Sequence, residues 1–188
     1  VEAGLLEAEA RLANAPFFKF HATGLPWITA KWAMTLDGKI ATSAGLSKWI
    51  TGEAARVRAR RFRGEHACVL VGIGTVLADD PSLVGPPGVK PPRRAVADAA
   101  ARMPVTSQIV KGAREVETFV GVSGKAPEES VKRLEEAGCR VVRLPATQEG
   151  IHLPEFLKAI APFATSVFAE GGSHILGSLF DHGLVDEV

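Results

Sequence analysis

The residues best suited to chemistry lie near the carboxyl end, where an apolar run over 165–169 is followed by Glu170, Gly171 and Gly172. The apolar run predicts a buried strand that delivers Glu170 to its carboxyl end. Two glycines allow the backbone to turn into a helix, whose unpaired amides and positive dipole end can hold a phosphate. The pattern therefore predicts either an anion-binding corner beside a carboxylate or an ordinary turn between strand and helix.

The helix after this corner is predicted from its apolar spacing. Ile175, Leu176, Leu179 and Phe180 form one stripe, and Gly183 is placed to end the helix. In open α/β sheets, ligands bind outside the carboxyl ends of the strands, so this corner is the first candidate site.

Lys31 is the second candidate, because it lies within 27–34, a run that predicts a mostly buried strand. Lysine is seldom buried without a partner. Either this face of the strand is solvated, or Lys31 has an acidic or ligand partner.

Arg63 is the third candidate. It is the last of three arginines, with Arg56 and Arg60, that recur at successive turns of a helix for which Thr51 is the predicted cap. Such a stripe is typical of a solvated helix face. The alternative is that Arg63 holds an anionic group through its planar guanidinium.

Other motifs argue against common sites. The Gly72-Ile73-Gly74 sequence lacks the third glycine of a Rossmann fingerprint, and Asp79-Asp80 reads as a turn without a third metal ligand. Cys68 and Cys139 lie in apolar runs without pair spacing, which predicts two buried, reduced thiols. We therefore expect no metal site.

The elements that must position these residues alternate along the chain. We predict helices over 2–14, 51–63, 127–138, 154–160 and 173–183, and strands over 27–34, 66–72, 94–98, 116–122, 140–144 and 165–169. A connector is expected over 16–26 and an irregular segment over 84–92. Alternating strands and helices predict an α/β fold with a mainly parallel sheet covered on both faces.

Composition argues against two further classes of function, nucleic-acid binding and membrane association. The chain has 188 residues, 46% of them hydrophobic and 23% charged, with a formal net charge of +1, which fits one globular domain. Without a basic cluster among aromatic residues, nucleic-acid binding has no support. No apolar run approaches the roughly 20 residues that span a bilayer, and no signal peptide is visible, so we expect a soluble cytoplasmic protein without membrane contacts.

Several short motifs occur together in an order that resembles one known family. They are Lys31, Ala33, Met34, Leu36, Asp37 and Gly38; then Ser47, Trp49, Ile50 and Thr51; then Val71, Gly72, Gly74, Thr75, Asp79 and Pro81; and finally Glu170, Gly171 and Gly172. This set is similar to the reductase domain of the bacterial bifunctional riboflavin biosynthesis deaminase/reductase, a mixed, mainly parallel α/β domain of dihydrofolate-reductase-like fold. The resemblance covers 27–188. Residues 1–26 resemble the tail and linker of the deaminase half, which is absent from this sequence.

The resemblance implies an NADPH-dependent reduction of 5-amino-6-(5-phosphoribosylamino)uracil to its ribityl product, a step of riboflavin biosynthesis. Hydride from the nicotinamide would add to the open-chain sugar at C1′. Two alternatives remain: a module that binds NADPH or a pyrimidine without turnover, and a reductase of the same fold with a different pteridine or pyrimidine substrate.

The resemblance also implies site residues. It places substrate contacts at Ser47, Arg63, Leu83 and Glu170. It places cofactor contacts at Ala33, Trp49, Thr75, Asp79 and the segment Gly172, Ser173, His174, Ile175, Leu176, Gly177 and Ser178. Lys31 and Glu170 are the expected catalytic residues, with the proton donor undecided. A neighbouring Asp37 or Glu170 would keep Lys31 charged.

Three departures from the family pattern carry expectations. The family usually has an arginine shortly after the position of Leu83 that helps to bind a phosphate. This chain lacks that arginine, so the phosphate contact is either lost or moved to Arg93 or Arg94. Ala99 stands where the family has a serine near the cofactor. The family continues beyond Val188, so we expect a fragment truncated at its carboxyl end.

The resemblance further implies a homo-oligomer and a fused upstream deaminase domain.

Overall fold

A six-stranded parallel sheet forms the centre of the molecule. The structure is a computed structural model that describes residues 3–147 and 150–188. The strands of both sheets are β1 (Trp27–Ala30), β2 (Cys68–Gly72), β3 (Arg93–Ala97), β4 (Thr118–Ser123), β5 (Arg140–Leu144), β6 (Ala146–Thr147), β7 (Gly150–Ile151) and β8 (Ser166–Ala169). The main sheet has the order β1-β8-β2-β3-β4-β5, and β6 and β7 form a separate antiparallel pair. The mainly parallel α/β fold expected from the sequence is confirmed.

Eight helices are assigned within the described residues. They are α1 (Glu7–Ala13), α2 (Ala15–Thr23), α3 (Glu53–Glu65), α4 (Ile73–Asp79), α5 (Gln108–Lys111), α6 (Glu128–Glu136), α7 (Leu153–Ile160) and α8 (Ser173–Asp181). One apolar cluster joins α4, α5 and α6 to one face of the sheet, and a second joins α7 and α8 to the other. The central strands are therefore buried on both faces, which explains their continuous apolar sequences.

The helices that follow β2 and β8 leave the sheet toward opposite faces, and a crevice forms between them at the carboxyl ends of the strands. β8 lies between β1 and β2, with Ala169 in register with Ala30 on one side and with Leu70 on the other. The chain leaves β2 into α4 on one face and leaves β8 into α8 on the other. Neighbouring parallel strands whose helices depart to opposite faces form the usual ligand crevice of open sheets.

Two predictions near the amino end were wrong. The expected connector over 16–26 contains α2, because Pro16 occupies the first turn, where no amide partner is needed, and Gly24 ends the helix at a φ of 71°. The strand predicted over 27–34 stops at Ala30, so Lys31 follows the strand instead of lying within it.

Two further differences concern helix boundaries, and a third concerns one side chain. The cap of α3 is Gly52, not Thr51. The turn expected at Asp79 is the end of α4, a helix that the sequence did not predict. Phe180 leaves the apolar stripe of α8: it is 49% exposed and contacts the edge of Trp32, with ring centroids 5.9 Å apart.

The two thiols are buried and unpaired, as predicted. Burial raises the pKa of Cys68, and it raises that of Cys139 to about 11, so both remain protonated at neutral pH. Of the helices described, none has the length and apolar character to cross a lipid bilayer.

Candidate active site

A cavity of about 300 Å³ occupies the crevice at the carboxyl ends of β1, β8 and β2. Its wall combines the segment after β1, the loop before α3, one side of α3, the end of α4 and the Glu170–Gly172 corner. Of the predicted site residues, it brings together Lys31, Ala33, Ser47, Trp49, Arg63, Thr75, Asp79, Leu83, Glu170, Gly172 and Leu176. Residues from 31–83 and from 170–176 therefore converge on this one cavity.

Arg63 and Glu170 form an ion pair in this wall. Arg63 Nη2 donates to Glu170 Oε2 at 2.8 Å, and Arg63 Nε donates to Glu170 Oε1. The side chains are only 19% and 10% exposed. The hydrogen bond to Glu170 raises the pKa of Arg63 more than burial lowers it. Both carboxylate oxygens thus act as acceptors toward one guanidinium, a geometry that fixes Glu170 in place.

Lys31 lies beside this pair but does not join it. Its amide donates to the carbonyl of Ala169 at 3.0 Å, so Lys31 and Glu170 follow adjacent parallel strands at the same level. Neither Glu170 nor Asp37 forms an ion pair with Lys31, because Glu170 is held by Arg63 and Asp37 accepts from Thr35 in an exposed loop. The expected acidic partner of Lys31 is therefore missing from the described residues, and Lys31 lines the cavity.

The opposite rim is formed by the loop before α3. Trp49 is 71% exposed, and the guanidinium of Arg56 stacks on its ring at 4.5 Å from the centroid. Arg56 Nη1 also donates to the carbonyl of Thr51 at 2.6 Å. Across the cavity, Lys48 Nζ lies 2.5 Å from a carboxylate oxygen of Asp79. This ion pair connects the loop before α3 to the end of α4.

A second cavity, of about 430 Å³, lies on the other side of the start of α8. His174, Ile175 and Ser178 line it from α8, and Gly72, Ile73, Gly74, Ala97, Ala99, Arg102, Gly150, Ile151 and Leu153 complete its wall. The resemblance leads us to expect a serine at position 99, and the structure places Ala99 in the wall of this cavity.

The double-glycine corner separates the two cavities. A Cβ on Gly171 would lie 2.5 Å from Cβ of Ile175, so the first turn of α8 packs directly on the backbone there. The first backbone bond of α8 runs from Leu176 to Gly172 at 3.2 Å, which leaves the amides of the first three helical residues without intrahelical acceptors. The hydroxyl of Thr75 lies 3.9 Å from the place of a Cβ on Gly172. The corner therefore presents amides and a hydroxyl between two cavities.

Some expected contacts lie elsewhere. Ser173 and Gly177 belong to α8 but line neither cavity. Arg93 pairs with Glu117 at 2.7 Å, and Arg94 is buried with Nη2 donating to the carbonyl of Gly112 at 2.6 Å. Both arginines begin β3 and thus lie at the end of the sheet away from the cavity. They cannot replace the arginine missing after Leu83.

Sequence reasoning missed Lys48, Arg56 and Arg102 as cavity residues. For Arg56 a signal exists: Arg56 and Arg63 are seven residues apart on one helix, a spacing that places both on one face. Lys48 and Arg102 lie in irregular segments, where local sequence does not predict the direction of a side chain.

Comparison with known proteins agrees with this architecture. The family model described as the RibD C-terminal domain matches residues 26–188. The riboflavin biosynthesis protein RibD of Bacillus amyloliquefaciens is 39% identical over 191 residues, which cover 100% of this chain and 51% of that protein. The 2,5-diamino-6-ribosylamino-4(3H)-pyrimidinone 5′-phosphate reductase of Methanothermobacter thermautotrophicus is 38% identical over 174 residues, covering 87% of this chain and 75% of that protein.

Among solved structures, the diaminohydroxyphosphoribosylaminopyrimidine deaminase/5-amino-6-(5-phosphoribosylamino)uracil reductase of Thermotoga maritima matches with a TM-score of 0.75 and 27% identity. The match covers 95% of this chain and 48% of that one. The chain spans about half the length of the RibD relatives that it matches. With a family model that covers all of the sheet and both cavities, this chain belongs to the RibD C-terminal domain family.

Proposed function

We propose that residues 27–188 form an NADPH-dependent reductase that converts 5-amino-6-(5-phosphoribosylamino)uracil to its ribityl product. The observation that carries this proposal is the pair of cavities that meet at the Gly171–Gly172 corner. A dinucleotide consists of two nucleotides joined by a diphosphate. The two cavities match this arrangement, because the unpaired amides at the start of α8 lie between them. Relatives named as reductases supply the reaction class.

The residues present fit a dinucleotide. The absence of a side chain at Gly172 leaves room for a phosphate against the start of α8, where the helix dipole favours negative charge, while Gly171 allows Ile175 to pack on the corner. Trp49, Ala33 and Thr75 line the first cavity and would surround the nicotinamide half. His174, Ile175 and Ser178 line the second and would face the adenosine half.

The second cavity also supplies a reason to prefer NADPH. Arg102 lines it with a 59% exposed side chain, and its Nε lies 3.8 Å from the buried Asp98 carboxylate. This distance is outside a direct hydrogen bond, so the guanidinium keeps its donors for a ligand. A phosphate on the 2′-oxygen of the adenosine is the anion that Arg102 would bind.

When bound, the cofactor supplies the hydride that adds to C1′ of the open-chain sugar. The heteroatom attached to C1′ must then gain a proton. Both oxygens of Glu170 accept from Arg63, so Glu170 is suited to accept hydrogen bonds and position the substrate. Lys31 has no competing carboxylate among the residues described, and we assign it the proton. Ser47 and Leu83 complete the substrate side of the cavity.

The test is oxidation of NADPH with the aminouracil ribotide as substrate. The corresponding diaminopyrimidinone ribotide is the second candidate substrate, since the Methanothermobacter relative is named for it. Turnover of either compound supports a reductase. The ratio of the two kcat/KM values shows which of the two pyrimidine rings the enzyme prefers. NADPH binding without oxidation of NADPH in the presence of either compound would instead support the binding module.

We also propose a division of the whole protein. RibD relatives are about twice as long as this chain, and the family match begins at residue 26. Residues 1–26, which include α1 and α2, would connect the reductase domain to a deaminase domain that precedes it in the full-length protein, as the name of the Thermotoga protein suggests.

A further inference from the structure

The charges that line the first cavity leave two cations without a carboxylate partner. Arg63 is paired with Glu170, and Lys48 is paired with Asp79. Within residues 3–147 and 150–188, Lys31 and Arg56 form no ion pair. A substrate that carries a phosphate brings a negative charge into this cavity. Lys31 and Arg56 are the two lining cations with no carboxylate that competes for this charge.

Arg56 is held in a conformation that suits a phosphate. One terminal nitrogen donates to the carbonyl of Thr51, and the guanidinium plane stacks on Trp49. These contacts use one donor and one face, and they leave the other edge of the planar fork available. A guanidinium fixed in this way loses little conformational freedom when it binds two oxygens of a phosphate.

The position of Arg56 matches the shape of the substrate. Arg56 and Arg63 lie on one face of α3, and seven residues of helix separate them by about 10 Å along the axis. Lys31 follows the strand next to Glu170, at the same end of the cavity as Arg63. A pyrimidine bound beside Glu170 would direct an extended five-carbon chain along α3, with its terminal phosphate toward Arg56.

We propose that Arg56 binds the phosphate of the substrate, in place of the arginine that is missing after Leu83; this inference rests on the proposed reductase function. In this arrangement Arg63 orients Glu170, and Arg56 selects phosphorylated over unphosphorylated substrates.

The experiment compares Arg56→Gln and Arg56→Lys with the wild type, on the aminouracil ribotide and on the same compound without its phosphate. Arg60→Gln is the matched control, since Arg60 lies on the same helix, is exposed and lines neither cavity. For Arg56→Gln we expect kcat/KM to fall about 10- to 100-fold on the phosphorylated substrate, the range of a charge-assisted hydrogen bond, and to stay unchanged on the other. Arg56→Lys should retain part of the preference, because it keeps the charge but loses the fork.

Equal losses on the two substrates would overturn the inference, because they would mean that Arg56 acts only by holding Trp49 and the loop. An unchanged preference in Arg56→Gln would also overturn it. If the wild type oxidises NADPH with neither compound, the proposed function fails, and thermal unfolding with ribose 5-phosphate then tests Arg56 alone. In that case, stabilisation of wild type and Arg60→Gln but not of Arg56→Gln supports the inference, and any other pattern contradicts it.

Discussion

Arg63 and Glu170 join α3 to the end of β8 through two hydrogen bonds between residues 107 positions apart in the chain. The pair closes one side of the crevice and fixes the carboxylate beside Lys31. The two side chains are only 19% and 10% exposed, so water competes little with the contact between the two charges. The contact therefore contributes both to the stability of the fold and to the geometry of the site.

Removal of both partners should cost less stability than the sum of the two single removals. In Arg63→Ala the Glu170 carboxylate keeps its burial but loses its donors, and we expect unfolding to become easier by about 1–3 kcal/mol. The double variant Arg63→Ala/Glu170→Ala should lose less than the sum of the single changes. Denaturant titration of all four proteins measures this coupling, and additive losses would show that the pair is not energetically linked.

The glycine corner should not tolerate a side chain. Gly171→Ala places a Cβ 2.5 Å from Ile175, so the start of α8 must move, at a cost of about 1–3 kcal/mol. We expect lower stability and a smaller increase of the melting temperature with NADPH. Gly124→Ala is the control, because a Cβ on Gly124 has no atom within 4 Å. Equal responses of the two variants to NADPH would remove the corner from the proposed cofactor site.

Arg102 should decide the choice between the two nicotinamide cofactors. Arg102→Ala is expected to lower kcat/KM for NADPH about 10- to 100-fold and to leave the value for NADH unchanged, because the lost contact is with the 2′-phosphate. Steady-state rates with each cofactor measure the ratio. Arg133→Ala removes an exposed arginine from α6 and serves as the control for net charge. A parallel fall with both cofactors would contradict the assignment.

Asp98 should make stability fall as pH rises from the acidic range. Burial raises the pKa of its carboxyl in spite of hydrogen bonds from backbone amides and the nearby Arg102. The folded state therefore holds a proton that the unfolded chain releases near pH 4, and the free energy of unfolding falls between that pH and the raised pKa. Asp98→Asn keeps an acceptor for the Met103 amide, 2.8 Å away, and should remove this slope. Denaturant titrations across that range test it, and an identical slope in the variant would refute the prediction.

The elements of the sheet were predictable because their signals are local. Continuous apolar runs predicted β2, β4 and β8, and Pro127 with Gly138 bounded α6 closely. The segments that failed have apolar patterns that do not indicate a helix. Pro16 to Thr23 is rich in phenylalanine yet helical, and α4 begins at Ile73, directly after Gly72, without an apolar stripe that the sequence makes visible.

The predicted site divides in the same way. The motifs and the resemblance that they support selected eleven of the residues that line the first cavity and three that line the second, since the positions after parallel strands meet at one end of the sheet. They did not show that Arg93 and Arg94 lie at the opposite end of the sheet, away from the cavity. A strand of five residues carries its first and last side chains to different ends of the sheet.

The fold class, the family pattern and the double-glycine corner follow from the sequence alone, because these depend on short-range periodicity and on backbone freedom at two positions. The partners of the charges are visible only in the folded chain: Arg63 with Glu170, Lys48 with Asp79, and Arg56 on Trp49 with no carboxylate among the residues described. Ion pairs depend on distances between atoms that the chain brings together only when the sheet assembles, so no local pattern encodes them.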